Sequence, residues 1–96
     1  MTYKDSAQSV DGKIDKGLFL FTLSTCIWCR KTKALLQELG VAYKYVDLDL
    51  LDGDDRKEAT EELRRYNPHT SFPTVLVDGG STVILGFNET KLRELV

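Results

Sequence analysis

The sequence predicts one α/β domain, in which a four-stranded mixed sheet is flanked by three helices in the order β-α-β-α-β-β-α. A continuous apolar run followed by helical spacing indicates a buried strand and its crossover helix. Two extended segments joined by a Gly-rich turn indicate a hairpin further on. The 96 residues, 42% of them hydrophobic, are enough for one core and too few for two. Helices on both faces of the sheet are the expected packing.

The first 40 residues are expected to form a polar segment, a strand and a helix. Residues 1–16 show little apolar periodicity, so we interpret them as a tail or short extra element before a domain of residues 17–96. The apolar run 18–23 predicts a strand covered on both faces. Residues 25–39 continue with helical spacing, and Gly40 ends the helix. The apolar side of this helix carries Trp28, Thr32, Leu35, Leu36 and Leu39.

The middle of the chain is expected to add a strand and a second helix. Residues 41–50 alternate in polarity, which predicts a strand nearer the sheet edge. One face of this strand would carry Val46, Leu48 and Leu50. An acidic start and apolar residues at helical spacing predict a helix over 52–66, which Asn67 and Pro68 end.

The C-terminal part is expected to hold the hairpin and a last helix. Residues 74–77 and 82–85 are predicted strands, and residues 78–81 form the tight turn between them. Asn88 is the predicted cap of the helix that follows. The buried stripe of this helix would consist of Leu92, Leu95 and Val96.

Charge and hydropathy exclude two classes of partner. The formal net charge is −2 with both signs interspersed, whereas a nucleic-acid footprint needs clustered Lys and Arg. The polar N-terminus lacks the apolar stretch of a signal peptide, and the run Leu18–Phe21 is too short to span a bilayer. We therefore expect no nucleic-acid or membrane partner and a cytoplasmic location.

The chain has only two cysteines, Cys26 and Cys29, and they are three residues apart. Such a pair cannot join distant parts of a fold, so a structural disulfide framework is not expected. The remaining interpretations are a catalytic dithiol, a buried inert pair, or half of a zinc site. Zinc needs two further ligands and His69 is the only histidine, so we predict no metal site and assign His69 no role.

The position of Cys26 between a strand and a helix favours redox chemistry. Unpaired amides and the positive end of the helix dipole stabilise an anion there, and a thiolate is the reactive form of cysteine. We expect Arg30 and Lys31 to lower the pKa of Cys26 further, although these residues and Lys33 could equally form a solvated basic face. Cys29, one turn on, can then close a disulfide with Cys26.

Trp28 has two interpretations. It could be half-exposed beside the sulfurs as an apolar platform for a substrate, or it could be the first core residue of the helical stripe.

Three segments together resemble the glutaredoxin family. They are the stretch 21–33 around the cysteines, the stretch 70–75 that contains Pro73, and the turn 86–89 before the last helix. The similarity extends from Leu18 to the C-terminus.

The resemblance implies a thioredoxin-like fold in which Pro73 is cis and faces the cysteine pair. The backbone of Phe72 would then be free to pair with an extended, peptide-like substrate, and Thr74 would belong to the same binding loop. It also implies that Phe72, with Phe87, Asn88 and Glu89 at the start of the last helix, holds the γ-glutamyl end of glutathione.

This chain departs from many glutaredoxins at three positions. Leu23 replaces a lysine that would pair with a glutathione carboxylate, and Ile27 replaces a proline between the cysteines. Phe87 follows Gly86 where many members have cysteine, and this turn also resembles the glutaredoxin-like hydrogen donors of ribonucleotide reductase, which thioredoxin reductase reduces.

The predicted function is that of a thiol-disulfide oxidoreductase acting on protein or glutathione mixed disulfides. Cys26 attacks, Cys29 resolves, and electrons return from glutathione as a possible co-substrate or from an enzyme of the thioredoxin-reductase type. We expect a monomer with no bound cofactor, because the cysteines are the redox couple. The alternatives are a dimer that bridges an iron–sulfur cluster and a structural zinc knuckle.

Overall fold

The computed structural model describes residues 3–96 and confirms the α/β class. The strands are β1 Gln8–Val10, β2 Ile14–Thr22, β3 Val41–Asp47, β4 Thr74–Val77 and β5 Thr82–Leu85. The helices are α1 Ile27–Leu39, α2 Gly53–Tyr66 and α3 Glu89–Arg93, with short 3-10 turns at Tyr3–Ser6, Leu48–Leu50 and Asp78–Gly80. No helix among these residues is long and apolar enough to cross a membrane.

The sheet has five strands in the order β1-β3-β2-β4-β5, so the prediction of four strands is wrong by one. The additional strand, β1, pairs antiparallel with β3 at one edge. It is only three residues long and mostly exposed, and so short a segment cannot display the alternation by which a strand is recognised. β2 begins at Ile14, so it crosses the predicted boundary between the N-terminal segment 1–16 and the domain 17–96.

The central strand is β2, as the apolar run predicted. It runs parallel to β3 and antiparallel to β4. Leu18 and Leu20 point into one core, and Phe21 points into the other. Burial on both faces explains why this strand is continuously apolar rather than alternating.

The single core expected from the chain length is divided by the sheet into two hydrophobic clusters, one on each face. On one face, α1 and α3 contribute Leu35, Leu36 and Leu92. On the other face, α2 contributes Ala59 and Leu63. The predicted arrangement of helices on both faces is therefore confirmed.

Two predicted buried residues are exposed. β3 ends at Asp47 and the chain enters a 3-10 turn, which rotates Leu50 away from the face it was predicted to share with Val46. Val96 is exposed because α3 ends at Arg93, so the predicted stripe stops at Leu92 and the partly buried Leu95.

Candidate active site

Three loops meet at one end of the central strands of the sheet. β2 ends there and leads to the cysteine pair, and Phe21 near its end pairs with Thr74 at the start of β4. Thr74 in turn pairs with Leu85 at the end of β5. The amide of Gly86 donates to the carbonyl of Pro73 at 2.9 Å, which fastens the last loop to the second. The topology thus brings together the three segments that were far apart in the sequence.

Cys26 is the N-cap of α1. Its φ and ψ of −86° and 117° are extended, and its Sγ accepts a hydrogen bond from the amide of Cys29 at 3.1 Å. The Cys26 carbonyl accepts from the amide of Arg30 at 3.1 Å, which begins the helical pattern. Because the sulfur occupies the position at which a cap oxygen normally sits, both the amide and the helix dipole stabilise negative charge on it.

Cys29 lies in a different environment, although it is only one turn away. Its side chain is fully buried, whereas Cys26 is partly exposed, and both thiols are free. Burial, followed by the hydrogen bond to Cys26, raises the pKa of the Cys29 thiol to about 12. The backbone of Leu23 and the positive charge of Lys33 act in the opposite direction. The two sulfurs are therefore unequal: only Cys26 is open to a large substrate.

The basic residues of α1 separate into two groups. Arg30 and Lys31 are exposed. The Nζ of Lys31 lies 4.6 Å from the centre of the Trp28 ring, within the range of a cation–π contact. Lys33 points inward instead, toward β3. The influence of Arg30 and Lys31 on Cys26 stays a prediction.

Trp28 forms an exposed aromatic surface beside the cysteines. It is 51% exposed, so it is not the first residue of the buried stripe. Its ring stacks on Phe87, with centroids 5.9 Å apart and planes 23° from parallel. The two rings, with Phe72 and Gly86, line a groove of about 220 Å³. This groove is apolar and lies between α1 and the loops that precede β4 and α3.

The loop before β4 contains the cis bond that the resemblance implied. The Phe72–Pro73 peptide bond is cis. Phe72 is partly buried and Pro73 is buried. The Thr74 side chain is fully buried, and its hydroxyl donates to the Ser71 carbonyl at 2.9 Å. Thr74 therefore presents only its backbone at this loop.

Asn67 holds this loop in place, a role that its sequence context did not show. Its amide nitrogen donates to the Ser71 hydroxyl at 2.9 Å and to the Thr74 hydroxyl at 3.0 Å. Its oxygen accepts from the amide of His69 at 3.1 Å. The sequence indicated only that a helix ends here, and it does: α2 ends at Tyr66.

Replacing Asn67 by Ala is expected to lower the free energy of unfolding by about 2–3 kcal/mol, because it removes three hydrogen bonds of a buried side chain. Urea unfolding followed by circular dichroism measures the change. His69→Ala is the matched control in the same loop, since its side chain is exposed, and should stay within about 0.5 kcal/mol of the wild type. Equal stability of the two variants would contradict the proposed role of Asn67.

The start of α3 matches the predicted cap. The side-chain oxygen of Asn88 accepts from the amide of Lys91 at 3.0 Å. Glu89 is exposed and forms an ion pair with Arg93 at 2.8 Å, and Arg93 also lies 3.8 Å from Glu38. The side-chain oxygen of Asn88 is thus occupied by the Lys91 amide, and the next residue, Glu89, carries a carboxylate.

A second unpredicted contact fixes the loop before Cys26. Asp49 accepts hydrogen bonds from the hydroxyl of Ser24 and from its amide, the latter at 2.9 Å. These bonds hold the pKa of Asp49 below its ordinary value. They tie the turn after β2 to the segment after β3, 25 residues further along the chain.

The described part of the chain contains no group of three or more His, Cys, Asp or Glu side chains that could hold a metal ion. His69 is exposed in its loop, and its backbone amide and carbonyl form hydrogen bonds with Asn67 and Thr70.

A mixed sheet flanked by helices, with two thiols at the start of the helix after the central strand and a cis-proline loop before β4, defines a thioredoxin-like dithiol protein. The family model described as Glutaredoxin matches residues 18–81. The chain belongs to the glutaredoxin family of thiol oxidoreductases, with a C-x-x-C pair.

Individual relatives agree with this assignment. An uncharacterized glutaredoxin-like 8.6 kDa protein in the rubredoxin operon of Clostridium pasteurianum is 32% identical over 77 residues, which are 80% of this chain and 93% of that protein. The glutaredoxin from Methanosarcina mazei Go1 superposes with a TM-score of 0.83 and 46% identity, covering 92% of this chain and 84% of that one. For Methanosarcina acetivorans methanoredoxin the TM-score is 0.80 and the identity 44%, covering 88% and 87%.

Proposed function

We propose that this protein reduces disulfide bonds in protein substrates through the Cys26/Cys29 dithiol. The observation that carries the proposal is the inequality of the two sulfurs. Cys26 is partly exposed and its sulfur accepts a hydrogen bond from an amide, whereas Cys29 is buried one turn away. An accessible anion is suited to attack, and a shielded thiol is suited to attack only the sulfur beside it.

The reaction has two steps. The Cys26 thiolate attacks one sulfur of the substrate disulfide, forms a mixed disulfide and releases the other sulfur as a thiolate. Cys29 then loses its proton and attacks Cys26, which closes the Cys26–Cys29 bond and releases the second substrate thiolate. Two electrons pass from the protein to the substrate, and no resident cofactor is needed because the cysteines are the redox couple.

The apolar groove supports a protein substrate. Trp28, which lies between the two cysteines in the sequence, forms an aromatic surface together with Phe87 and Phe72. Aromatic side chains bind apolar groups with little loss of conformational freedom, and the loop at Pro73 lies beside them to receive an extended segment. We place this activity in the cytoplasm, where substrate thiols are kept reduced, and assign it to the monomer.

The proposed electron donor is an enzyme of the thioredoxin-reductase type, with glutathione as the alternative. Three features disfavour the carboxylates of glutathione. Leu23 supplies no cation, the oxygen of Asn88 caps α3, and the Glu89 carboxylate stands at the same helix start. Like charges in this position reduce affinity.

Turnover with the two donors, measured side by side, tests the proposal. Oxidation of NADPH is followed with insulin and thioredoxin reductase in one arm, and with a glutathione mixed disulfide, glutathione and glutathione reductase in the other. We expect the first arm to be about tenfold faster. Leu23→Lys should raise the glutathione arm about fivefold, the effect of one favourable exposed charge, and leave the other arm unchanged. A faster glutathione arm in the wild type would contradict the choice of donor, and failure to reduce insulin even with dithiothreitol would contradict the function.

A further inference from the structure

Lys33 has an environment unlike that of the other basic residues on α1. Its side chain is 19% exposed, and its Nζ lies 3.7 Å from Oδ1 of Asp47, whose side chain is 15% exposed. The same nitrogen lies 3.7 Å from the centre of the Tyr45 ring. An ion pair on one side and a cation–π contact on the other hold this ammonium group against β3.

Asp47 is in turn fixed by a hydrogen bond from the neighbouring strand β2. The hydroxyl of Thr22, a fully buried residue, donates to Oδ1 of Asp47 at 2.6 Å, and the Val46 carbonyl 3.1 Å away is its alternative acceptor. Removing two charges from water costs about as much as their mutual attraction returns. The pair therefore adds little stability. Its main effect is to fix the position of the positive charge.

The charge belongs to a side chain about one helical turn from Cys29. Lys33 follows Cys29 by four residues on α1, so the two side chains share one face of the helix. The positive charge of Lys33 favours the ionised form of Cys29 and opposes the effect of burial. Cys26 acts in the other direction while its sulfur is not bonded to substrate, because its hydrogen bond and then the charge of its thiolate raise the pKa of Cys29.

We propose that Lys33, fixed by Asp47, is a positioning residue for the second step, in which its charge stabilises the Cys29 thiolate as this attacks the mixed disulfide on Cys26. The inference rests on the function proposed above. Once Cys26 is bonded to substrate sulfur, it carries no charge, and Lys33 is left as the charge that acts on Cys29. The Cys29 proton goes to water, the new Cys26–Cys29 bond forms, and the substrate sulfur leaves with the electron pair.

The groups that bear on the ionisation of Cys29 come from α1, from the loop before it and from β3. Lys33 lies on α1 and Cys26 at its N-cap, and the backbone of Leu23 in the preceding loop lowers the pKa of Cys29. From β3, Asp47 and Tyr45 face Lys33. A change at Lys33 should therefore alter the pH dependence of the second step and leave that of the first step intact.

A chromogenic aromatic disulfide resolves the two steps in one experiment. Reduced protein is mixed with one equivalent of the reagent in a stopped-flow instrument, and each step releases one coloured thiolate. In Lys33→Met the second release should slow about tenfold near pH 7, the effect of roughly one pKa unit, and its pH profile should move to higher pH. The first release should stay within about twofold of the wild type. Lys33→Arg keeps the charge and should restore the second release.

Two further variants keep the test decisive. Lys33→Met could fail to fold because it leaves the Asp47 carboxylate buried without a partner. Lys33→Met combined with Asp47→Asn removes both charges and avoids this problem. The double variant should show the same slow second release. Lys57→Met removes an exposed lysine on α2, behind the other face of the sheet, and should change neither release. A wild-type second release in the folded double variant, or equal slowing of both releases, would overturn the inference. Absence of the first release in the wild type would instead overturn the proposed function.

Discussion

Replacing Cys26 by Ser abolishes disulfide reduction, with an expected loss of roughly a thousandfold or more, because the attacking thiolate is gone. Cys29 cannot substitute for it. Its side chain is fully buried, and burial raises the pKa of its thiol, so little of it is ionised at neutral pH. Insulin reduction driven by dithiothreitol, with the background rate subtracted, measures the loss.

The matched control for this variant is Thr25→Ser, which changes the exposed neighbour of Cys26 to a similar hydroxyl residue. It should reduce insulin at the wild-type rate. Circular dichroism and urea unfolding establish that Cys26→Ser is folded. Retention of more than about a tenth of the wild-type rate by folded Cys26→Ser would assign the attack to another group.

Replacing Cys29 by Ala stops the reaction halfway. The first step is unaffected, so the mixed disulfide accumulates on Cys26, and turnover with protein disulfides falls by about a hundredfold or more. Any turnover in which free glutathione attacks the mixed disulfide survives in part, because that route bypasses Cys29. Ala suits this test better than Ser, since a hydroxyl in a fully buried site would need a hydrogen-bond partner.

The wild-type protein supplies the pH dependence that this variant should lose. Because burial raises the pKa of the Cys29 thiol, the second step should accelerate as the pH rises from neutral to mildly alkaline, as more of the thiol ionises. Decay of the mixed disulfide in Cys29→Ala should lack this internal, pH-dependent component. A mixed disulfide that decays equally fast in the variant and the wild type would contradict the role of Cys29.

The strongest local patterns in the sequence predicted most of the fold. β2 and α1 were recognised because β2 is buried on both faces and α1 repeats its buried residues at helical spacing. β1 was missed because its three residues are stabilised by pairing with β3, a contact with residues more than 30 positions away. Leu50 and Val96 were misplaced for a related reason: the strand and the helix that would have buried them end earlier than the apolar pattern does.

The positions of the two cysteines could be predicted from the sequence, but the residues that hold the site in place could not. The spacing of Cys26 and Cys29 and their position after a strand placed both at the helix start. Asn67 and Lys33, in contrast, act through contacts with another element or loop. Asn67 resembled a helix end and Lys33 resembled a solvated charge, because a single sequence does not show which polar groups a fold will bury together.

Mapping the mixed disulfide tests the central claim most directly. The wild type and Cys29→Ala are mixed with one equivalent of a disulfide substrate, quenched in acid after increasing times, and analysed by peptide mass spectrometry. Our account predicts that the adduct forms on Cys26 alone, that it disappears from the wild type as a Cys26–Cys29 disulfide replaces it, and that it persists in the variant. An adduct on Cys29 of the wild type, or a wild-type adduct that never gives way to the internal disulfide, would contradict the account.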